Sequence, residues 1–174
     1  ADADGNTLRD QTESNSERWG RSLLSEGIHR PFYDLVAANA VPIAMAAVFR
    51  RELLPDDLPD DAGPAYDLWV AYCLCRQGLG AYYVRDRLST WRSHAGGLTA
   101  RGGIEFARGS ALCWRAMAGD SRLASVHRTA RHKAALALRS CALSSWRGGR
   151  RGDCLRFGLQ SVGLRPTLKG LAAC

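Results

Sequence analysis

Between residues 122 and 146 of this 174-residue chain, apolar side chains return every three or four positions. They are Leu123, Val126, Ala130, Ala134, Ala137 and Cys141, and such spacing places them on one stripe of an α-helix. Arg128, Arg131, His132 and Arg139 fall largely off that stripe. Gly148-Gly149 and Gly152 close the segment. A lone helix of this kind cannot bury its stripe, so the chain must supply partners for it. Residues 104–118 and 153–162 have the same Ala, Leu and Arg character and are expected to be helices too. Pro166 then begins a last short turn.

Upstream the texture changes. Asp2-Ala3-Asp4-Gly5-Asn6 carries turn chemistry, and residues 10–17 are polar enough to predict a loop. Trp19, Leu23, Leu24 and Ile28 predict a short helical stripe, and a second stripe follows Pro31. Residues 41–49 are apolar and fit a buried strand, with a short helix or turn at residues 50–54. The Asp- and Pro-rich run 55–64 reads as a loop. Residues 67–77 are apolar almost all round, which predicts a buried helix stopped by Gly78. Ala81-Tyr82-Tyr83-Val84 has strand composition, and residues 88–91 could add a second short strand.

Charge divides the chain. Residues 1–67 hold 13 acidic and 6 basic side chains, whereas residues 68–174 hold 4 and 18. A basic second half suits phosphate, nucleic acid or an anionic membrane surface. Arg outnumbers Lys heavily, which a GC-rich coding sequence also produces. Six scattered cysteines (Cys73, Cys75, Cys113, Cys141, Cys154 and Cys174) contain no Cys-x-x-Cys pair, so neither a zinc site nor a disulfide framework is expected. They read as small core residues of a reducing compartment. The longest apolar stretch, residues 35–49, is too short to span a bilayer, and nothing resembles a signal peptide. No nucleotide-binding glycine fingerprint or nucleophile elbow occurs. A cytoplasmic chain is the expectation, and one that begins without Met reads as a piece of something longer.

One constellation remains. Tyr66-Asp67-Leu68-Trp69-Val70 opens the apolar helix, Gly78 ends it, and Tyr82-Tyr83-Val84 follows. Then come Leu88-Ser89-Thr90-Trp91-Arg92-Ser93-His94 and Gly96-Gly97-Leu98-Thr99. This order resembles the acceptor-side half of an inverting family 2 glycosyltransferase of the GT-A fold. The likeness rests on Asp67-Leu68-Trp69, the Tyr-Tyr-Val strand and Leu88-x-x-Trp91-Arg92-x-His94, and covers roughly residues 1–99. The turn at residues 2–6 is similar to one found in these enzymes downstream of their metal-binding acidic motif.

The resemblance implies an α/β fold: a partial GT-A half-domain over residues 1–99, followed by a basic α-helical extension over residues 100–174. It implies transfer of a sugar, with inversion, from a nucleotide-diphosphate-sugar donor to a hydroxyl of a sugar or lipid-linked acceptor. The donor-binding half and the acidic motif holding a divalent metal (Mg or Mn) would lie upstream. Asp67 would be the catalytic base, Arg92 would bind the donor diphosphate, and His94 would sit near the diphosphate and ligate the metal. Local readings compete with each role: an N-cap for Asp67, a surface ion pair for Arg92 and a hydrogen-bonded loop histidine for His94. Many family members carry an acidic pair where this chain has Pro64-Ala65, so either Asp67 takes that role or the base is lost.

Arg92 and His94 occupy alternate positions, which in an extended segment share one face. Trp69, Trp91 and Trp114 could stack on a sugar or simply pack a core. The basic helices could touch an anionic membrane surface peripherally, whereas nucleic acid is not expected as a partner. Two other classes stand beside the enzyme: a basic helical module binding nucleic acid or protein through residues 104–165, and a non-catalytic glycosyltransferase-like relic.

Overall fold

The computed structural model describes residues 1, 2, 4–38, 46–90, 92, 94–97 and 103–165. In chain order these residues form α1 (Arg9–Arg18), β1 (Gly27–His29), α2 (Tyr33–Ala38), α3 (Tyr66–Cys75), β2 (Ala81–Tyr83), α4 (Gly103–Gly119), α5 (His127–Arg147) and α6 (Arg151–Leu164). Short 3-10 turns at Arg21–Leu23, Arg51–Leu53, Asp60–Ala65 and Ser121–Val126 connect them.

The three basic helices pack in sequence, α4 on α5 and α5 on α6. Ala130, Ala134, Leu138, Cys141 and Ala142 are among the buried residues that α5 offers its neighbours, with Ala135 and Ser145 buried beside them. The expected stripe is realised with one exchange, Leu138 being buried where Ala137 is half-exposed. Small side chains on this face let the helices approach closely. Phe157 and Cys154 of α6 close one cluster with Ala107 and Ala111 of α4. The Ser161 hydroxyl donates to the Ala135 carbonyl at 2.8 Å, tying α6 to α5. Residues 121–126, expected to begin the long helix, form instead a 3-10 turn kinked at Leu123. The kink lets Leu123 and Val126 turn inward, where both are buried.

A second cluster joins the two halves of the chain. Phe32, Val36 and Ala37, at and within α2, meet Tyr72–Cys75 of α3, Trp114 and Met117 of α4, and Leu123 and Val126. Trp114 is therefore a core residue, with the Lys133 ammonium 4.7 Å from its ring centre. Burial pushes the Cys75 and Cys113 thiols up to about 12 and that of Cys141 to about 11. Such thiols are inert packing groups at neutral pH.

The first half departs from several expectations. Residues 9–18 form a helix, not a loop, with no buried residue. Thr12 and Ser16 hydroxyls donate to the carbonyls of Leu8 and Thr12, so local bonds rather than packing carry this helix. The stripe expected over residues 19–28 divides into the Arg21–Leu23 turn and strand β1. β1 pairs antiparallel with β2, with Ile28 opposite Tyr82. Among the described residues these are the only strands. Residues 88–90 are exposed and irregular, because no neighbouring strand offers them a ladder. Of the strand expected at residues 41–49, only 46–49 are described; they hold no strand, and Val48 is fully exposed. Asn39, Trp91, the Leu98-Thr99 pair, Pro166 and Cys174 lie outside the described residues.

The Asp60–Ala65 turn sits directly on α4. Gly109 allows this: a β-carbon there would collide with the Ala62 carbonyl oxygen and come within 3.1 Å of the Ala65 methyl. Backbone cannot yield as a flexible side chain can, so Gly109→Ala is expected to destabilise the fold by about 1–3 kcal/mol. Chemical denaturation read by circular dichroism checks this, with Gly152→Ala, whose site is open, as the neutral control.

Candidate functional site

The site begins with the start of α3. Pro64 precedes the helix, and Gly63 reverses the chain just before it (φ 45°, ψ −131°). Ala65 occupies the capping position and its side chain makes no cap bond. Asp67 is therefore the second helical residue and not the N-cap. Its Oδ1 accepts from the Leu68 amide at 2.8 Å, and the side chain is half-buried. Burial dominates its ionisation and raises its pKa above the ordinary aspartate value, against the opposing effect of nearby amides. The sequence argument from the helix N-terminus alone anticipates the opposite direction. The desolvation comes from packing of α3 on α4, where Cys113 lies close enough to feel the Asp67 charge and donates its thiol to the Ala65 carbonyl at 3.8 Å. At its other end α3 stops at Cys75, two residues short of the expected 77, and the turn that follows closes at Gly78, whose left-handed backbone (φ 68°) few other residues adopt.

Arg92 and His94 are exposed and lie outside helices and strands. The Gly97 amide donates to the His94 carbonyl at 3.0 Å and closes a turn over residues 94–97. Among the described residues no hydrogen bond or ion pair links Asp67 to Arg92 or His94. Trp69 packs edge-on against Tyr72, with ring centres 5.2 Å apart.

A divalent metal would need converging hard ligands. Among the described residues no group of three or more His, Cys, Asp or Glu converges. Asp2, the best-placed carboxylate of the opening turn, spends its oxygens on the amides of Asp4 and Asn6 and on the Asn6 side chain. His94 alone does not make a metal centre.

Sequence reasoning missed the most strongly held carboxylate. Asp120, at the α4–α5 junction, is 5% exposed at its side chain. Both its oxygens engage the Arg122 guanidinium at 2.7 Å, and Oδ1 also caps the following turn through the Arg122 amide. From α3, the Tyr72 hydroxyl donates to it at 3.2 Å and Arg76 approaches to 3.7 Å. The His127 ring bonds the Asp120 carbonyl at 2.7 Å. These hydrogen bonds, led by Arg122, lower the Asp120 carboxyl to about 2. A group so acidic cannot serve as a base at neutral pH, and its work is to pin α3 to the α4–α5 turn. An Asp just before a helical stripe is a capping signal visible in sequence, but its two partners on α3 are not.

No protein-family model, curated protein or solved structure matches this chain. Among the described residues no helix is long and apolar enough to cross a membrane.

A depressed carboxyl stabilises the fold at any pH above the ordinary aspartate pKa, and the contribution disappears as pH falls from about 4 to about 2. Asp120→Asn is expected to lower stability at pH 7 by about 2 kcal/mol, typical of bonds to a charged group. The difference from the parent chain should vanish near pH 2 in acid denaturation followed by tryptophan fluorescence.

Proposed function

We propose that this chain is the acceptor-side part of an inverting, family 2-like glycosyltransferase. In this reading the acceptor hydroxyl of a sugar or lipid-linked acceptor gives its proton to the Asp67 carboxylate as its oxygen bonds the anomeric carbon. The bond to the nucleotide diphosphate breaks on the opposite face, and the configuration inverts. Arg92 faces the departing diphosphate, for which a planar guanidinium offers paired hydrogen bonds. His94 stands beside it.

The observation that carries the reading is the state of Asp67. It is a half-buried carboxylate with a raised pKa, on the first turn of an apolar helix, and among the described residues its bonding partners are amides of its own turn. A base gains proton affinity from such desolvation. A structural cap would be held the other way, as Asp120 is. Ile28 and Tyr82, partners across the β1–β2 ladder, are 75% and 63% exposed. An outward apolar pair of this kind suits cover by a further layer of a larger domain.

The test is Asp67→Asn in the full-length gene product, assayed for sugar transfer from nucleotide-sugar donors. Turnover is expected to fall by about 10²-fold or more. The thermal midpoint at pH 7 should hold or rise, because the amide removes the cost of a desolvated charge while still accepting from Leu68. Retained turnover, or a lost fold with activity proportional to the folded fraction, would remove Asp67 from the chemistry.

A further inference from the structure

A groove of about 660 Å³ runs between the first turns of α5 and the end of α6. Arg128 and Arg131 enter it from α5, and Arg165 from just beyond α6. His127, Thr129 and His132 complete its polar lining, while Ala124 and Leu164 supply the apolar part. Among the described residues no acidic side chain lines it. Some arginines elsewhere meet carboxylates: Arg108 meets Asp61, Arg122 meets Asp120, and Arg156 meets Asp153. Among the described residues Arg128 and Arg131 have no such partner.

Arg165 makes its contact with another basic group, the Nδ1 of His132. That contact requires a neutral imidazole accepting from the guanidinium. Burial, then Arg165, Lys133 and Arg139, hold the His132 pKa below its ordinary value. Cations gathered in a concave site without a counter-charge form a receptor for a compact anion. Several arginine forks and a hydroxyl suit the tetrahedral oxygens of a phosphate.

We propose that this groove binds a phosphate group, presented by a soluble phosphate compound or by a lipid headgroup. Its cations and shape are independent of Asp67, so the site stands whether or not the chain transfers sugar. Arg128 and Arg131 clamp the phosphate from one wall and Arg165 from the other. His132 responds rather than binds first. Negative charge beside it favours the imidazolium, which can no longer accept from Arg165 and frees that fork for the ligand.

Two probes distinguish the sources: inorganic phosphate followed by NMR, and flotation with phosphatidylcholine vesicles with and without phosphatidic acid. Phosphate is expected to raise the His132 titration midpoint by about one unit. Arg128→Ala with Arg131→Ala, and separately Arg165→Ala, should each weaken binding about tenfold or more without moving the thermal midpoint. Arg115→Ala, on exposed α4 surface and equal in charge change to Arg165→Ala, should leave binding intact. A response to inorganic phosphate assigns the site to a soluble ligand, and flotation that requires phosphatidic acid and these arginines assigns it to a headgroup. Binding of neither probe, or equal loss in Arg115→Ala, overturns the proposal.

Discussion

At Gly109 the α4 backbone lies against the Ala62 carbonyl with no room for a side chain between them. That contact seats the Asp60–Ala65 turn, and the turn sets where α3 begins and how deeply its first residues are buried. Position along the helix and depth against α4 together decide the ionisation of Asp67. The packing that makes the core is thus also what raises the pKa of one carboxylate. Stability and candidate chemistry meet at the same small-residue contact.

Asp67 and Asp120 show how far environment separates identical side chains. Both lie near a helix start and both face the α3–α4 region. Asp120 gathers Arg122, Arg76 and Tyr72, which hold it as an anion well below the usual carboxylate range. Among the described residues Asp67 gathers amides of its own turn while losing water, and it moves in the other direction. The first arrangement joins helices, and the second suits proton transfer. The same accounting separates some of the arginines: Arg108 on α4 and Arg156 on α6 meet acids, whereas Arg128, Arg131 and Arg165 surround an open groove.

Helices with an apolar stripe were legible in the residues. The expected bounds of α4 and α6 agree with the structure to within two residues, and α3 was placed with its glycine stop, because three- and four-residue spacing is a local signal. Helix α1 was not legible, since Arg9–Arg18 has no buried face and depends on hydroxyl-to-carbonyl bonds. Strand β1 was hidden because its partner lies more than fifty residues away, and the stripe at Trp19, Leu23 and Ile28 mimics a helix. Asp67 could be singled out by its place before an apolar helix, but the direction of its pKa depends on α4. The Asp120 network and the cationic groove join residues from separate helices, which no window along the chain contains.

The most direct test of the central claim is a titration of the Asp67 carboxyl carbon by NMR in the folded chain. Desolvation against α4 requires a midpoint above the ordinary aspartate value of about 3.9, moving back toward it when Gly109→Ala loosens the contact. A midpoint at or below that value would show a capping carboxylate held by its amides, and Asp67 would no longer stand as the base.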